Sequence, residues 1–385
     1  MADKFRIIII LLLASLSVVQ TKASEGFDLQ ISVDAAKAAV PADSINIDGN
    51  LKHDWMHMIK TRRIQVTDTN VVYPKFIDWC LRVYRWAEKT FNTYDPEYVS
   101  GTGKHGKVRL LSDNWTDLYY FRFKEVSPLI MASNPYCNLG IQANYSILSA
   151  SYSVDINSAL TGIKSKHRKW GFSFTTARLY GEAYYWRNHG STVIRRFGDE
   201  NTGRLYHVGF DGINFKAFGA MGFYIFNSKK FSYAAAYNLS NYQLKSAGSW
   251  IIGASGTVYD CDFDFTKLPQ EVLDVTKLPF NDYRFDYNSI NILGGYAYNW
   301  VINRHFLFNV TTLPGLGISF CFANDSDDRK NKLSLAVRHM TSLTYTNRQF
   351  FITATSNFYG NFLLTHKVGF MTAIENFQFS TGIRF

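Results

Sequence analysis

A chain of 385 residues with 16% aromatic residues (31 of them Phe and 24 Tyr) and only 19% charged ones is richer in Tyr and Phe than a soluble domain has reason to be. The net charge of +10 would suit nucleic acid, but the exported character of the N-terminus argues against that partner and for anionic lipopolysaccharide or anionic solutes. A mean hydropathy of −0.14 fits a wall whose lipid-facing apolar residues and interior-facing polar residues cancel in the average.

The first element in chain order is a secretory signal. Lys4 and Arg6 precede an apolar run from Ile7 to Val19, and Thr21-Lys22-Ala23 supplies a cleavage site near Ala23. The next residue is Ser24, not Cys, so lipoprotein processing is not indicated. Residues 24–74 are polar and aperiodic and read as a periplasmic lead-in. Over 75–92, Phe76, Trp79, Cys80, Val83, Tyr84, Ala87 and Phe91 recur at three and four residues between Pro74 and Pro96, which predicts one short amphipathic helix. Three placements fit it: on the membrane-facing rim, as a plug of the lumen, or as a cap on the first hairpin.

From about 107 to 385 the period switches to two. Trp170, Phe172 and Phe174 share one face of a strand; Phe215, Ala217, Met221, Phe223 and Ile225 share another. Phe231, Tyr233, Ala235, Tyr237 and Leu239 continue the pattern after a turn at Asn227–Lys230. Ile290, Ile292, Tyr296, Tyr298 and Trp300 lead to an Asn303-Arg304 turn, and Leu333, Leu335, Val337, Leu343 and Tyr345 lead to one at Asn347-Arg348. Short turns alternate with longer polar stretches at 262–285 and 323–331. Alternation repeated at hairpin spacing excludes a parallel α/β sheet, and many segments reach the ~9–11 residues that cross a bilayer.

The final strand is the most informative. Phe377, Phe379, Ile383 and Phe385 alternate with Gln378, Ser380, Gly382 and Arg384, so a strand with one apolar face runs to the terminal Phe. Taken alone it also suits the last strand of a soluble sandwich. With the signal sequence, it predicts an all-β, antiparallel transmembrane barrel of about 12 strands (10–14), recognised through this strand by barrel-assembly machinery and set in lipid and lipopolysaccharide of the outer membrane. No nucleic acid partner and no cofactor is expected.

With the apolar faces outward, the lumen is lined by small polar residues, and Lys216, Arg338 and Arg384 are its candidate charges, biasing a passage toward anions or making interior ion pairs. Asp260, Asp262 and Asp264 alternate beside a long loop and would share one side, as loop carboxylates open to divalent cations or simply to solvent. Cys80, Cys137, Cys261 and Cys321 have no metal-ligand spacing, and one or two disulfides fit an oxidising compartment. His207, His305, His339 and His366 fall in different segments and no Gly-x-Ser-x-Gly elbow is present, so catalysis is not expected.

Three stretches carry a family likeness: Lys229-Lys230-Phe231-Ser232-Tyr233-Ala234-Ala235-Ala236-Tyr237 with Gln243-Leu244-Lys245-Ser246-Ala247-Gly248-Ser249-Trp250; Asn134-Pro135-Tyr136-Cys137-Asn138-Leu139-Gly140; and Gly294-Gly295-Tyr296-Ala297-Tyr298 before Asn303-Arg304-His305-Phe306. Together they resemble an uncharacterised family of Bacteroidetes-type secreted proteins, a domain of unknown function regarded as outer-membrane β-barrels. The resemblance covers roughly 75–385 and implies a fold and a location, with no activity and no catalytic residues. The expected role is a narrow passive channel or solute-binding barrel. The alternatives are a structural or adhesive barrel that binds lipopolysaccharide or a protein through its loops, and a lipid-modifying barrel enzyme.

Overall fold

The computed structural model describes residues 93–385 apart from short stretches (105, 124–127, 146–147, 157–167, 190–191, 198–203, 277–281, 322–331, 348 and 365–367), and before them 44–47, 50–54, 71–72 and five positions between 75 and 86. The expected signal segment lies outside the described residues. The chain divides into two compact units, Met1–Thr90 and Phe91–Phe385. In the first, Ser44–Ile47 and Asn50–Asp54 pair antiparallel, and Asn50–Asp54 pairs parallel with Val71–Val72. Lys75, Asp78, Trp79, Arg82 and Trp86 are helical, with Arg82 and Asp78 paired at 2.5 Å across one turn.

The second unit is a barrel. Its wall strands are β1 (Gly106–Phe123), β2 (Tyr136–Tyr145), β3 (Leu148–Asp155), β4 (Arg168–Thr175), β5 (Leu179–His189) and β6 (Ile213–Ile225). They continue as β7 (Ala247–Asp264), β8 (Asp282–Val301), β9 (Phe306–Cys321), β10 (Lys332–Thr346), β11 (Phe350–Leu364) and β12 (Val368–Arg384). Each pairs antiparallel with the next, and β12 returns to β1 from Val368↔Phe123 to Arg384↔Lys107. The circuit of twelve agrees with the count expected from the alternation. Its narrowest join is β3–β4, zipped only at Leu148↔Phe174 and Ser149↔Ser173.

One hydrogen-bonded row followed around the wall leaves β1 at Lys107, passes Asn144, Ser173, Met221, Asn291 and Leu363, and returns to β1 at Phe121. The stagger from position 107 to position 121 is 14 residues. With ~3.3 Å per residue and ~4.8 Å between strands, it tilts the strands by roughly 40° and gives a radius of about 12 Å.

We call the end carrying Gly106 and Arg384 the lower end. Most turns there are short, and two are built by Asn side chains: Asn303 Oδ1 accepts from the N–H groups of His305 (2.8 Å) and Phe306 (3.0 Å), and Asn347 Oδ1 from Gln349 (3.1 Å) and Phe350 (2.8 Å). Upper connections are longer, except the three-residue one between β11 and β12. Between β7 and β8 the chain forms a 3₁₀ turn at Phe265–Lys267 and the helix Gln270–Thr276, where the sequence suggested only a polar loop. Accessory strands Leu129–Ser133, Thr192–Phe197 and Arg204–Phe210 branch from the upper half of β1, whose lower half pairs with β2.

The outward face carries the expected apolar band. Phe377, Phe379, Ile383 and Phe385 are 52%, 47%, 56% and 56% exposed. Trp250, Tyr296, Trp300, Phe306 and Phe350 girdle the lower end. Along β7 the exposed residues run from Trp250 to the first carboxylate, Asp260, a climb of about 25 Å at this tilt. Glycine is required where β8 crosses β9: a Cβ on Gly295 would collide with the backbone of Thr312 and Leu313. Gly295→Ala is expected to cost about 1–3 kcal/mol, read by urea unfolding of the refolded barrel.

On β6 the Phe215 face looks inward, opposite to the outward face expected from the alternation. Ile213, Phe215, Ala217, Met221, Phe223 and Ile225 point inward and are buried, while Phe218 and Tyr224 are exposed outside. Both faces of β6 carry large apolar residues, so alternation alone could not orient it. Residues 231–239 form no strand either: they fold inward, with a π-helical turn at Ala234–Asn238.

Candidate functional site: the filled barrel interior

The interior is packed in layers. Near the upper end, Tyr119, Phe121, Phe215, Phe263 and Phe265 are at most 2% exposed and meet mostly edge-on, as in Phe121–Phe263 with centroids 4.8 Å apart, while Phe263 and Phe265 stack. Below them Tyr259 and Tyr287 stack at 4.4 Å, and Tyr184 stacks on Trp186 at 4.9 Å. Asp117, Tyr119, Trp186, Phe215, Tyr359, Thr372, Ala373 and Ile374 line a cavity of about 10 Å³, room for one water.

The middle layer is polar. Arg338 Nη2 donates to Glu182 Oε2 at 2.9 Å, and the Tyr180 hydroxyl donates to the same oxygen at 2.8 Å. The guanidinium lies 5.8 Å from the Phe223 ring centroid and reaches the sulfurs of Met221 and Met340. The side chains are 10% and 25% exposed, so the pair is largely shielded from water.

The lower layer is the connection at 226–246, the one long excursion among the lower turns. Phe231, Tyr233, Ala236 and Leu239 are buried in it, and Leu239 holds a left-handed backbone (φ 60°) that non-glycine residues rarely adopt. Gln243 organises the segment. Its Nε2 donates toward the carbonyls of Lys230 (2.6 Å), Lys245 (2.9 Å) and Tyr98 (3.3 Å), while Oε1 accepts from Ser232 N and Asn299 Nδ2, both at 2.9 Å. Asn299 Nδ2 also donates to Ser232 O at 3.0 Å, and the Tyr237 hydroxyl donates to Asn309 Oδ1 at 2.5 Å. Two wall cations clamp the turn: Lys107 Nζ reaches both oxygens of Asn238, and Arg384 Nε donates to Leu239 O at 2.8 Å. Asn241–Gln243 pairs with Val99–Gly101 at the rim, where Lys245 donates to Glu97 at 2.9 Å; that hydrogen bond raises the lysine pKa.

Of the three lumen candidates, Arg338 and Arg384 are interior and hydrogen-bonded, Arg384 through Nε and Nη1. Arg384 also donates to Asn347 O at 3.0 Å and covers the Phe351 ring at 4.8 Å. Lys216 is outside, because β6 turns its other face inward; it pairs with Asp260 at 2.6 Å, both about a third exposed. Lys216→Ala should change stability by less than about 1 kcal/mol and leave any ion selectivity untouched, as planar-bilayer recordings would show. Asp260, Asp262 and Asp264 do share the outward side. Asp260 is taken by Lys216, and Asp264 caps the 3₁₀ turn by accepting from the Thr266 N–H at 3.2 Å, accepts from the Thr266 hydroxyl as well, and lies 3.3 Å from Lys267. Among the described residues no cluster of ligands suited to a metal occurs. Cys137 faces outward and Cys261 inward, both as free thiols. His339 faces outward at mid-height of β10, not near a headgroup level, with Nδ1 2.9 Å from Thr312 Oγ1. The stretch 323–331 lies outside the described residues.

Sequence reasoning missed Lys107, Glu182, Gln243 and the inward fold of 226–246. The available signal was the length of that connection at an end where the other turns are tight.

Closed circuit, stagger and apolar outer band define an antiparallel β-barrel of the membrane-spanning type. The chain belongs to the family described as domain of unknown function (DUF4421), whose model matches residues 93–385, nearly the whole barrel unit. No curated protein matches the chain. Among solved structures it is similar to the outer membrane protease OmpT from Escherichia coli (7% identity, TM-score 0.31, covering 76% of this chain and 98% of that one). It is also similar to the CymD monoaromatic hydrocarbon channel (9%, 0.25, 73% and 89%) and to Ail, the attachment invasion locus protein of Yersinia pestis (8%, 0.15, 73% and 99%). Likeness at this level assigns no activity.

Proposed function

We propose that the protein is an outer-membrane β-barrel whose interior is shut at rest and which works through the surfaces it presents, as a binding or scaffolding barrel and not as a standing passage. The carrying observation is the filled interior: aromatic layers above, the Arg338–Glu182 pair in the middle and the 226–246 plug below. In this reading the lower end is periplasmic, the long upper connections meet the exterior, and Lys216, Asp260 and Asp262 stand at the level of lipopolysaccharide headgroups. The C-terminal strand, with Phe377, Phe379, Ile383 and Phe385 outward, is offered to the assembly machinery. No catalytic role is proposed for any residue. Liposome swelling tests the reading: vesicles carrying the refolded chain should admit small sugars no faster than empty ones, and porin-like swelling would overturn it.

One observation favours a gated passage as the second reading. The plug is held by side-chain hydrogen bonds from Lys107, Gln243, Asn299 and Arg384, all of them reversible. Lys107, Arg109, Arg338 and Arg384 would bias an opened path toward anions. Deleting 229–243 should then produce anion-preferring conductance; a silent deletion variant would leave the closed barrel alone.

A further inference from the structure

A row of cations interrupts the upper part of the outer wall on β4, β5 and β6. Tyr184, Trp186 and Asn188 of β5 are buried inward, so Arg187 between them faces outward, as Lys216 does on β6. The register sets Lys216 opposite Arg187 and Arg187 opposite Arg168, with Asp260 at the other end of the same row. Three cations thus follow one another across the sheet, and like charges directly opposite repel. The one carboxylate of the row is held by Lys216 at 2.6 Å. Arg187 makes no hydrogen bond or ion pair among the described residues, and its Nε is buried without a partner.

The tilt sets the depth of this row. At roughly 40°, each strand step back from β7 lowers the row by about 3 Å, so Arg187 leaves the wall about 6 Å below Asp260, just inside the upper edge of the apolar band. A guanidinium without a counter-charge is costly there, and its long side chain lifts it toward the headgroup level. Two residues lower on the same strands, Phe218, Tyr185 and Trp170 form the next outward row. The Trp170 ring lies 6.2 Å from that of Tyr185 and 6.5 Å from that of Phe218. Cations above rings, at the edge of a hydrocarbon layer, complement an anionic head with apolar chains beneath it. Arginine favours phosphate, whose oxygens its planar fork meets two at a time. With the upper end exterior, the phosphates at this level are those of lipopolysaccharide.

We propose that Arg187, with Lys216 and Arg168 beside it, binds a phosphate of an acylated, phosphorylated glycolipid of the lipid A class, whose chains lie along Phe218, Tyr185 and Trp170. The proposal rests on the outer-membrane reading and deepens it. The test uses the full mature chain refolded into phosphatidylcholine vesicles that contain bisphosphorylated lipid A, and native mass spectrometry counts the lipid A retained by the released barrel. Arg187→Gln should weaken retention tenfold or more, with the barrel still resisting protease, and Arg187→Lys, which keeps a charge, should retain more than Arg187→Gln. Arg122→Gln removes another exposed outward arginine, at the upper end of β1 and above the band, and should change nothing. Phosphate-free lipid A and phosphatidylglycerol should each be retained at least tenfold less than bisphosphorylated lipid A. Equal retention by Arg187→Gln and the unmodified chain, or equal retention of phosphate-free lipid A, would overturn the site. Equal retention of phosphatidylglycerol would overturn the glycolipid as its occupant. A chain that fails to float with the vesicles would overturn the membrane reading as well.

Discussion

Arg338→Ala is expected to lower the unfolding free energy of the barrel by about 3–5 kcal/mol, the penalty for leaving one member of a shielded ion pair without its partner. Glu182 would keep only the Tyr180 hydroxyl as donor, in a layer closed above and below by aromatic rings. Removing both charges in Arg338→Met with Glu182→Gln should recover most of that loss, since a well-packed neutral pair is often as stable as the ionic one. Urea titration of the refolded protein in vesicles, following Trp fluorescence, distinguishes this structural role from a selectivity role. A lining residue of a water-filled passage would show little change in either variant.

The second large effect concerns the plug. Gln243→Ala strands the Ser232 N–H and withdraws a donor shared by three carbonyls, so the lower layer should lose about 2–4 kcal/mol locally, at ~1–3 kcal/mol for each buried group left unsatisfied. Amide exchange over 230–243 should then accelerate about a hundredfold while exchange in the wall strands stays slow. Arg384→Ala should move the same amides by a smaller factor, because the Lys107 clamp on Asn238 remains. Equal acceleration throughout the barrel would mean that the plug and the wall are one cooperative unit.

How much of this was legible in the sequence depends on where polar residues fall. Strands β8 to β12 separate cleanly: Ser334, Arg338, Ser342 and Thr344 alternate with Leu333, Leu335, Val337 and Leu343, so their faces and turns could be assigned before any coordinates. The strand count followed from the same alternation. Strand β6 defeated the argument because Phe218 and Tyr224 on one face are as apolar as Phe215 and Phe223 on the other. A lumen filled with rings, and not with water, removes the contrast on which the period depends. Residues 231–239 imitated a strand for a related reason. Phe231, Tyr233 and Ala235 are buried by tertiary packing inside the barrel, and a π-turn places them there as well as a strand would. The charges suffered most: Lys216 moved outside with its strand, while Lys107 and Glu182, which hold the interior together, lay in segments whose alternation is broken by Asn, Asp and Tyr.

Single-channel recording in planar bilayers tests the central claim, a barrel shut along its length. The refolded mature chain, shown to be inserted by its protease-resistant core, should give no steady conductance across a salt gradient at moderate voltage. Steady ohmic steps from the unmodified protein would contradict the account, and anion preference in those steps would assign the open path to the lysine and arginines of the interior.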